Sequence, residues 1–570
     1  MITSTLEMNF VPTGSIYPSP ADWRDTFIYF LLVDRFDDND NGTQPYNPAA
    51  PTDGRDSADG RVFQGGNLKG ITRRLDYIKG LGANAVWLSP VFRNRQEMND
   101  SYHGYGIQNF LEVDPRFGTR EDLRELVDKA HAKGMYVILD IIFNHTGDNW
   151  AYPENYPYYY WKEAQEPFPF GFWREKDPQA GFQHDDAVWP KELQREDCYK
   201  RRGEIRDWYD QNEAMNGDFL SLKELDINRP DVLDALIKSY KYWICETDID
   251  GFRVDTVKHM ESSATAILCN AVREYAKSIG KQNFFIFGEI VGDDNIIQSY
   301  IGRNSRLPHT SERFPSLDAA LDFPLYFVLE EVLKGFRKPD ALRDRYERFH
   351  TLYADHGAAG KNFVTFVDNH DQMSRKYNRF MHGNPYPQQA VLAIGYLLTS
   401  QGIPCIYYGT EQGFDGGGDQ DFYVRECMFG GTWGAFNSTG RHFFAPAHPI
   451  YQGISKIAEA RRNEPALRYG RQYFREISGN GTDFGHPQDG NCTLAYSRVL
   501  DTTEIVVALN LGLNARGDYV TVDSNLCPEG TTMVNLLKPS EEFKVEARGG
   551  RHAVRVDLGG HGIAVLKRKG

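Results

Sequence analysis

A chain of 570 residues with a formal net charge of -15 repels nucleic-acid backbones and anionic membrane surfaces, which excludes both as main partners and leaves a neutral substrate. Hydrophobic residues at 41% and charged residues at 25% are the proportions of a folded globular protein, which excludes disorder. The seven cysteines are scattered and never spaced as Cys-x-x-Cys, so neither a zinc site nor a disulfide framework is implied.

In chain order, residues 1–10 carry neither a basic nor an apolar leader pattern, and no run of about 18 apolar residues follows, so a cytoplasmic location is expected. Strand-like apolar runs fall at 27–34, 84–89, 136–142, 251–255, 284–289, 322–326, 363–367 and 403–408. They are nearly continuous rather than alternating, as strands covered on both faces are. Between them, residues 119–133 predict a helix. Thr119 precedes Glu121 and Asp122, one face carries Leu123, Leu126, Val127 and Ala130, and Gly134 ends it. Residues 231–243 predict another, with Pro230 at its start. Eight strands alternating with helices predict an α/β fold, a (β/α)8 TIM barrel.

Two stretches break that rhythm. Residues 146–222 are too long and too rich in Pro and Tyr for a plain loop and predict an inserted domain after the third strand. From about residue 470 the pattern turns to period two, which predicts a C-terminal antiparallel β-sandwich domain. The expected organisation is therefore 1–145 and 223–469 for the barrel, 146–222 for the insertion and 470–570 for the β domain.

Four strand ends carry ionisable groups. They are Asp140-Ile141-Ile142-Phe143-Asn144-His145, then Gly251-Phe252-Arg253-Val254-Asp255-Thr256-Val257-Lys258-His259, then Gly288-Glu289, then Val367-Asp368-Asn369-His370-Asp371. Charge at the end of a buried strand is costly unless paired or used, and barrels do their chemistry at the C-terminal strand ends. Arg253 lies two residues before Asp255, on the same face, and is expected to keep it ionised as a nucleophile. The apolar approach to Glu289 is expected to raise its pKa, as a general acid requires. These are the parts needed to break a glycosidic bond. Earlier in the chain, the run from Asp37 to Gly42 alternates oxygen side chains, Asp37, Asn39 and Asn41, like the start of a calcium loop, although Pro48 at the twelfth position excludes an EF-hand.

In these motifs and their order the chain resembles the α-amylase family of retaining glycoside hydrolases, glycoside hydrolase family 13, from about residue 27 to the C-terminal β domain. The resemblance implies Asp255 as nucleophile, Glu289 as acid/base and Asp371 as the third carboxylate, which holds the distorted sugar. It further implies Tyr105, His145, Arg253 and His370 around the bond that breaks, and Lys258 and His259 on the leaving-group side. Arg375 stands one residue beyond the spacing seen in many relatives, and Gly106 replaces an aromatic residue, which is expected to open one wall. A structural calcium ion is implied at Asp37, Asn39 and Asn41. A second would use Asn144, the His259 carbonyl and an acidic residue of the insertion, where Lys223 stands beside Glu224.

The expected activity is retaining hydrolysis of α-glucosidic bonds, mainly α-1,4, in α-glucans or malto-oligosaccharides. A transglycosylase (glucanotransferase) or an α-glucosidase of the same family is the alternative, and a non-catalytic glucan-binding relative is more remote because all three carboxylates are present. The aromatic run 156–161 is expected to form part of a sugar-contacting wall. Oligomeric state leaves no signal in the sequence.

Overall fold

A computed structural model describes every residue other than 1, 41, 50–53, 154–158, 162–165, 175–186, 302–304, 307–312, 315, 353–358 and 373–376. Its centre is a closed barrel of parallel strands, β1 (Ile28–Leu31), β2 (Ala85–Leu88), β3 (Tyr136–Ile141), β4 (Gly251–Val254), β5 (Phe285–Gly288), β6 (Ala319–Leu321), β7 (Phe363–Thr365) and β8 (Ile403–Tyr407), with β8 returning to pair with β1. Every residue of β1, β2, β4 and β8 is buried, because the barrel interior covers one face and the helical layer the other. Inside, Phe30 stacks on Trp87 with ring centroids 3.7 Å apart.

The helices follow their sequence signals. Leu68–Leu81 begins at Asn67, whose side chain accepts from the Gly70 amide, and ends at Gly82 in the left-handed region. Arg120–Ala132 opens on a reciprocal capping box between Thr119 and Asp122. Pro230–Thr247 has proline at its first turn and buries Val232, Leu236, Tyr240 and Trp243. The sixth strand differs from expectation. Residues 322–326 do not form it; Ala319–Leu321 does, and Asp322 instead caps the helix Phe323–Leu333 by accepting from the Leu325 amide, with Pro324 in the first turn. An apolar run of this length reads equally as strand or helix, and the cap decides.

The insertion leaves the barrel through His145–Thr146, which pairs antiparallel with Lys223–Glu224 where the chain returns. The C-terminal region forms a nine-stranded antiparallel sheet between Arg471 and Arg568. It has its own apolar core of residues such as Val506, Met533, Val554 and Leu566. Among the described residues, no helix is long and apolar enough to cross a membrane.

The capping box lies at the start of an outer helix, and neither Thr119 nor Asp122 lines the cavity between the strand ends. Thr119→Ala should therefore destabilise the fold by about 1 kcal/mol while leaving turnover unchanged. The unfolding midpoint in denaturant and the initial rate on a glucan, measured on the same preparation, check both halves.

Candidate active site

Parallel register sets the site. Arg253 on β4 lies opposite Asp140 on β3 and Phe287 on β5, and Val254 lies opposite Gly288, so Asp255 and Glu289 leave adjacent strands side by side. Arg253 is wholly buried and serves three carboxylates. Its Nη1 donates to Asp140 Oδ1 at 2.8 Å and to Asp255 Oδ1 at 2.7 Å, and its Nη2 is 3.0 Å from Glu289 Oε2. Asp140 also accepts from Trp87 Nε1 at 3.2 Å and from the Tyr105 hydroxyl at 3.0 Å. Tyr105 in turn lies 2.8 Å from His370 Nε2.

One guanidinium cannot neutralise three buried carboxylates, and the protonation states follow. Burial pushes Glu289 up to about 8, with Asp255 and Asp371 adding repulsion against the opposing pull of Arg253. Asp255 and Asp140 are each pushed up to about 6 by burial, which Arg253 only partly offsets. The arginine therefore lowers the cost of ionising Asp255 without returning its pKa to the usual carboxylate range, because it is shared and the carboxyl is buried. Histidines around the site stay neutral: burial pushes His145 down to about 3 and His103 and His259 to about 4.

The turns after the strands are strained. Thr256, directly after Asp255, sits at φ 48° and ψ 36°, a left-handed conformation costly for a β-branched residue, and its amide lies 3.3 Å from Glu289 Oε2. Gln372, directly after Asp371, has φ 45° and is held by Asn369, Asp368 and Tyr326.

Asp255, Glu289 and Asp371 face one cavity of about 550 Å³, which Tyr105, His145, Lys258 and His259 also line. His370 stands behind it, against Tyr105 and 3.3 Å from Asp371 Oδ2. Arg375 lies outside the described residues; among the described residues the cation on Asp371 is Arg425, whose Nη2 donates to Asp371 Oδ1 at 3.0 Å and whose Nη1 lies 2.8 Å from Asp421. Sequence reasoning missed Arg425 and Asp421, and also Trp208 and Phe219, which meet the His259 ring edge-on at 5.8 and 5.3 Å. No local pattern marks these four, whereas Asp140 stands out inside its apolar run.

Two expectations about the walls change. Tyr156 and Tyr158 lie outside the described residues, while Tyr159 packs on Tyr152 and Phe168 and Tyr160 lies under Arg206, so neither lines the cavity. Gly106 does not open the pocket. A Cβ there would come within 3.0 Å of Asn94 Oδ1, and the Gly106 carbonyl sits where a Cβ on Gly147 would be, so two backbones meet at this point.

The residues expected to hold calcium do not suit it. Asp37 is 2.7 Å from Arg73 and 2.6 Å from Arg74, and its Oδ1 accepts from the Asn39 amide; Asn41 lies outside the described residues. Asn144 donates to Glu224 Oε2 at 2.5 Å, and the Lys200 ammonium lies 3.3 Å from Glu224 Oε1. Like charges about 4 Å apart near a protein surface repel by about 4 kcal/mol for each unit of charge. Among the described residues, no group of three or more His, Cys, Asp or Glu side chains could hold a metal ion.

Residues 30–428 match the family described as "Alpha amylase, catalytic domain". An alpha-amylase of Streptomyces lividans is 32% identical over 562 residues, covering 88% of this chain and 58% of that protein. A cyclomaltodextrin glucanotransferase of Geobacillus stearothermophilus is 30% identical, covering 90% of this chain and 62% of its own length. The chain thus spans about three-fifths of these relatives. Among solved structures, the alpha-amylase of Geobacillus thermoleovorans complexed with acarbose superposes with a TM-score of 0.70 at 28% identity, covering 97% of this chain and 100% of that one. With its closed parallel barrel, its carboxylates at the ends of the expected strands and these matches, the chain belongs to the alpha-amylase family.

Proposed function

We propose that this protein hydrolyses α-glucosidic bonds, mainly α-1,4, in α-glucans or malto-oligosaccharides, with retention of configuration. One observation carries the reading: Asp255 and Glu289 contact neighbouring nitrogens of a single guanidinium at 2.7 and 3.0 Å, at the edge of a cavity large enough for sugar. Sharing one guanidinium favours the short carboxyl separation of a retaining enzyme, about 5–5.5 Å, over the about 6.5–9.5 Å that leaves room for an attacking water.

In this reading Glu289 gives its proton to the glycosidic oxygen as an Asp255 oxygen bonds to the anomeric carbon, so the leaving sugar departs neutral and a glycosyl ester forms. Water then attacks that carbon, Glu289 takes the water's proton, and the Asp255 carboxylate is released. Arg253 spreads the charge that moves between the two carboxyls. Asp371, fixed by Arg425, binds hydroxyls of the distorted sugar, and Tyr105 and His370 form the platform beside it. Every reacting group is a side chain of this chain.

A specific feature favours transglycosylation as a second reading. The cavity wall beside His259 is apolar, formed by Trp208, Phe219, Leu220 and Leu222, and such a wall seats a sugar acceptor while excluding water. Chromatography of maltoheptaose digests separates the two: shorter maltodextrins alone indicate hydrolysis, and longer or cyclic products indicate transfer. Unchanged maltoheptaose would overturn both.

Asp255→Asn should lower kcat by about 10⁴-fold or more while the variant still binds maltodextrin. Glu289→Gln should cost about 10²–10⁴-fold on unactivated glucan and far less on a substrate whose leaving group needs no proton. Steady-state rates on maltoheptaose and on an aryl glycoside check both.

The pH profile follows from the two carboxyls. Turnover needs Asp255 ionised and Glu289 protonated at once. Below about 6 Asp255 takes up a proton and the nucleophile is lost; above about 8 Glu289 loses its proton and the acid is lost. A bell-shaped kcat/KM with limbs near those values is expected, and the basic limb should vanish for an activated substrate in Glu289→Gln.

A further inference from the structure

Two places where an α-amylase relative is expected to hold calcium contain cations of this chain's own. At the first, Arg73 and Arg74 both engage the buried Asp37, and Arg73 Nη2 also donates to the Asp40 carbonyl at 2.7 Å. At the second, Lys200 is nearly buried, with its Nζ 3.3 Å from Glu224 Oε1 and donating to the Met215 carbonyl.

The second cation stands at a junction. Glu224 is wholly buried, its Oε2 accepts from Asn144 just past the end of β3, and its backbone carbonyl accepts from the Lys200 amide at 3.1 Å. The Met215 carbonyl belongs to the short helix Gln211–Asn216. That helix also receives the His259 ring, whose Nδ1 donates to the Ala214 carbonyl at 2.6 Å. The ammonium therefore joins the returning strand of the insertion to the helix behind the His259 wall, and Glu224 carries the link on to Asn144 past the end of β3. A divalent ion with six to eight oxygen ligands would join the same three pieces.

We propose that Lys200 replaces structural calcium in this protein, tying the inserted segment to the barrel through Glu224 and the Met215 carbonyl without a bound ion. Removing the ammonium leaves a buried carboxylate unpaired, which is strongly destabilising, whereas removing both charges is not.

The test uses the full chain. Elemental analysis of purified wild type should find calcium far below one ion per chain, and neither excess EDTA nor excess CaCl2 should move the thermal midpoint by more than about 1 °C; a saturated stabilising site would give several degrees. Lys200→Met should lower the midpoint by about 5 °C, and Lys200→Met with Glu224→Gln should regain most of that loss. Stoichiometric calcium in wild type, a midpoint that falls in EDTA, or a Lys200→Met protein that melts like wild type would each overturn the proposal. So would equal losses in the single and double variants. If Lys200→Met fails to fold, the calcium content and chelator response of wild type decide.

Discussion

The buried guanidinium of Arg253 is the constraint on which the site depends. It lies at zero exposure on β4, bonded to carboxylates of β3 and β4 and in contact with one at the end of β5, so three neighbouring strands end around one positive charge. Ionised carboxylates could not be gathered there without it. Because it supplies one charge to three, protons remain in the cluster, and Glu289 is left with the highest pKa of the three. The split between a carboxyl that keeps its proton and neighbours that give theirs up more readily is therefore a property of the shared cation as much as of any one carboxyl.

Around that centre the structure repeats a single device, a buried or half-buried carboxylate matched by a buried cation from another part of the chain. Arg425 meets Asp371, Arg345 meets Asp294 and Asp322, Arg379 meets Glu426, and Lys200 meets Glu224. Removing one partner of such a pair leaves an uncompensated charge in a dry place, so each pair acts as a latch between segments. The Asp371 latch lines the cavity, and the Lys200–Glu224 latch lies behind it, holding the 211–216 helix on which the His259 ring rests.

Two strained turns lie in the same region. Thr256 and Gln372 take left-handed conformations directly after Asp255 and Asp371, and each turn redirects the chain so that the preceding carboxylate faces the cavity. Neighbouring hydrogen bonds hold them there: the Val257 amide donates to the Glu289 carbonyl at 3.1 Å, and the Gln372 amide to Asn369 Oδ1 at 2.6 Å.

The sequence by itself determined the barrel, its strand ends and the groups projecting from them, because these are local properties. An apolar run ending in Asp255, Glu289 or His370-Asp371 places its last residues whatever lies elsewhere in the chain. Where a run was ambiguous, as at 319–326, a cap formed only in the folded chain decided between strand and helix. What the tertiary structure alone decided is the pairing. Arg425 reaches Asp371 across 54 positions and Lys200 reaches Glu224 across 24, and no local pattern announces either. The aromatic wall likewise went to Trp208 and Phe219 rather than to Tyr159 and Tyr160, since both sets are chemically suited to sugar and only the path of the insertion sets which faces the cavity. Calcium was plausible from the oxygens of Asp37 and Asn144 alone. It became unsuited once the fold delivered arginine and lysine to the same carboxylates, because electrostatics depends on distance in space and not on separation along the chain.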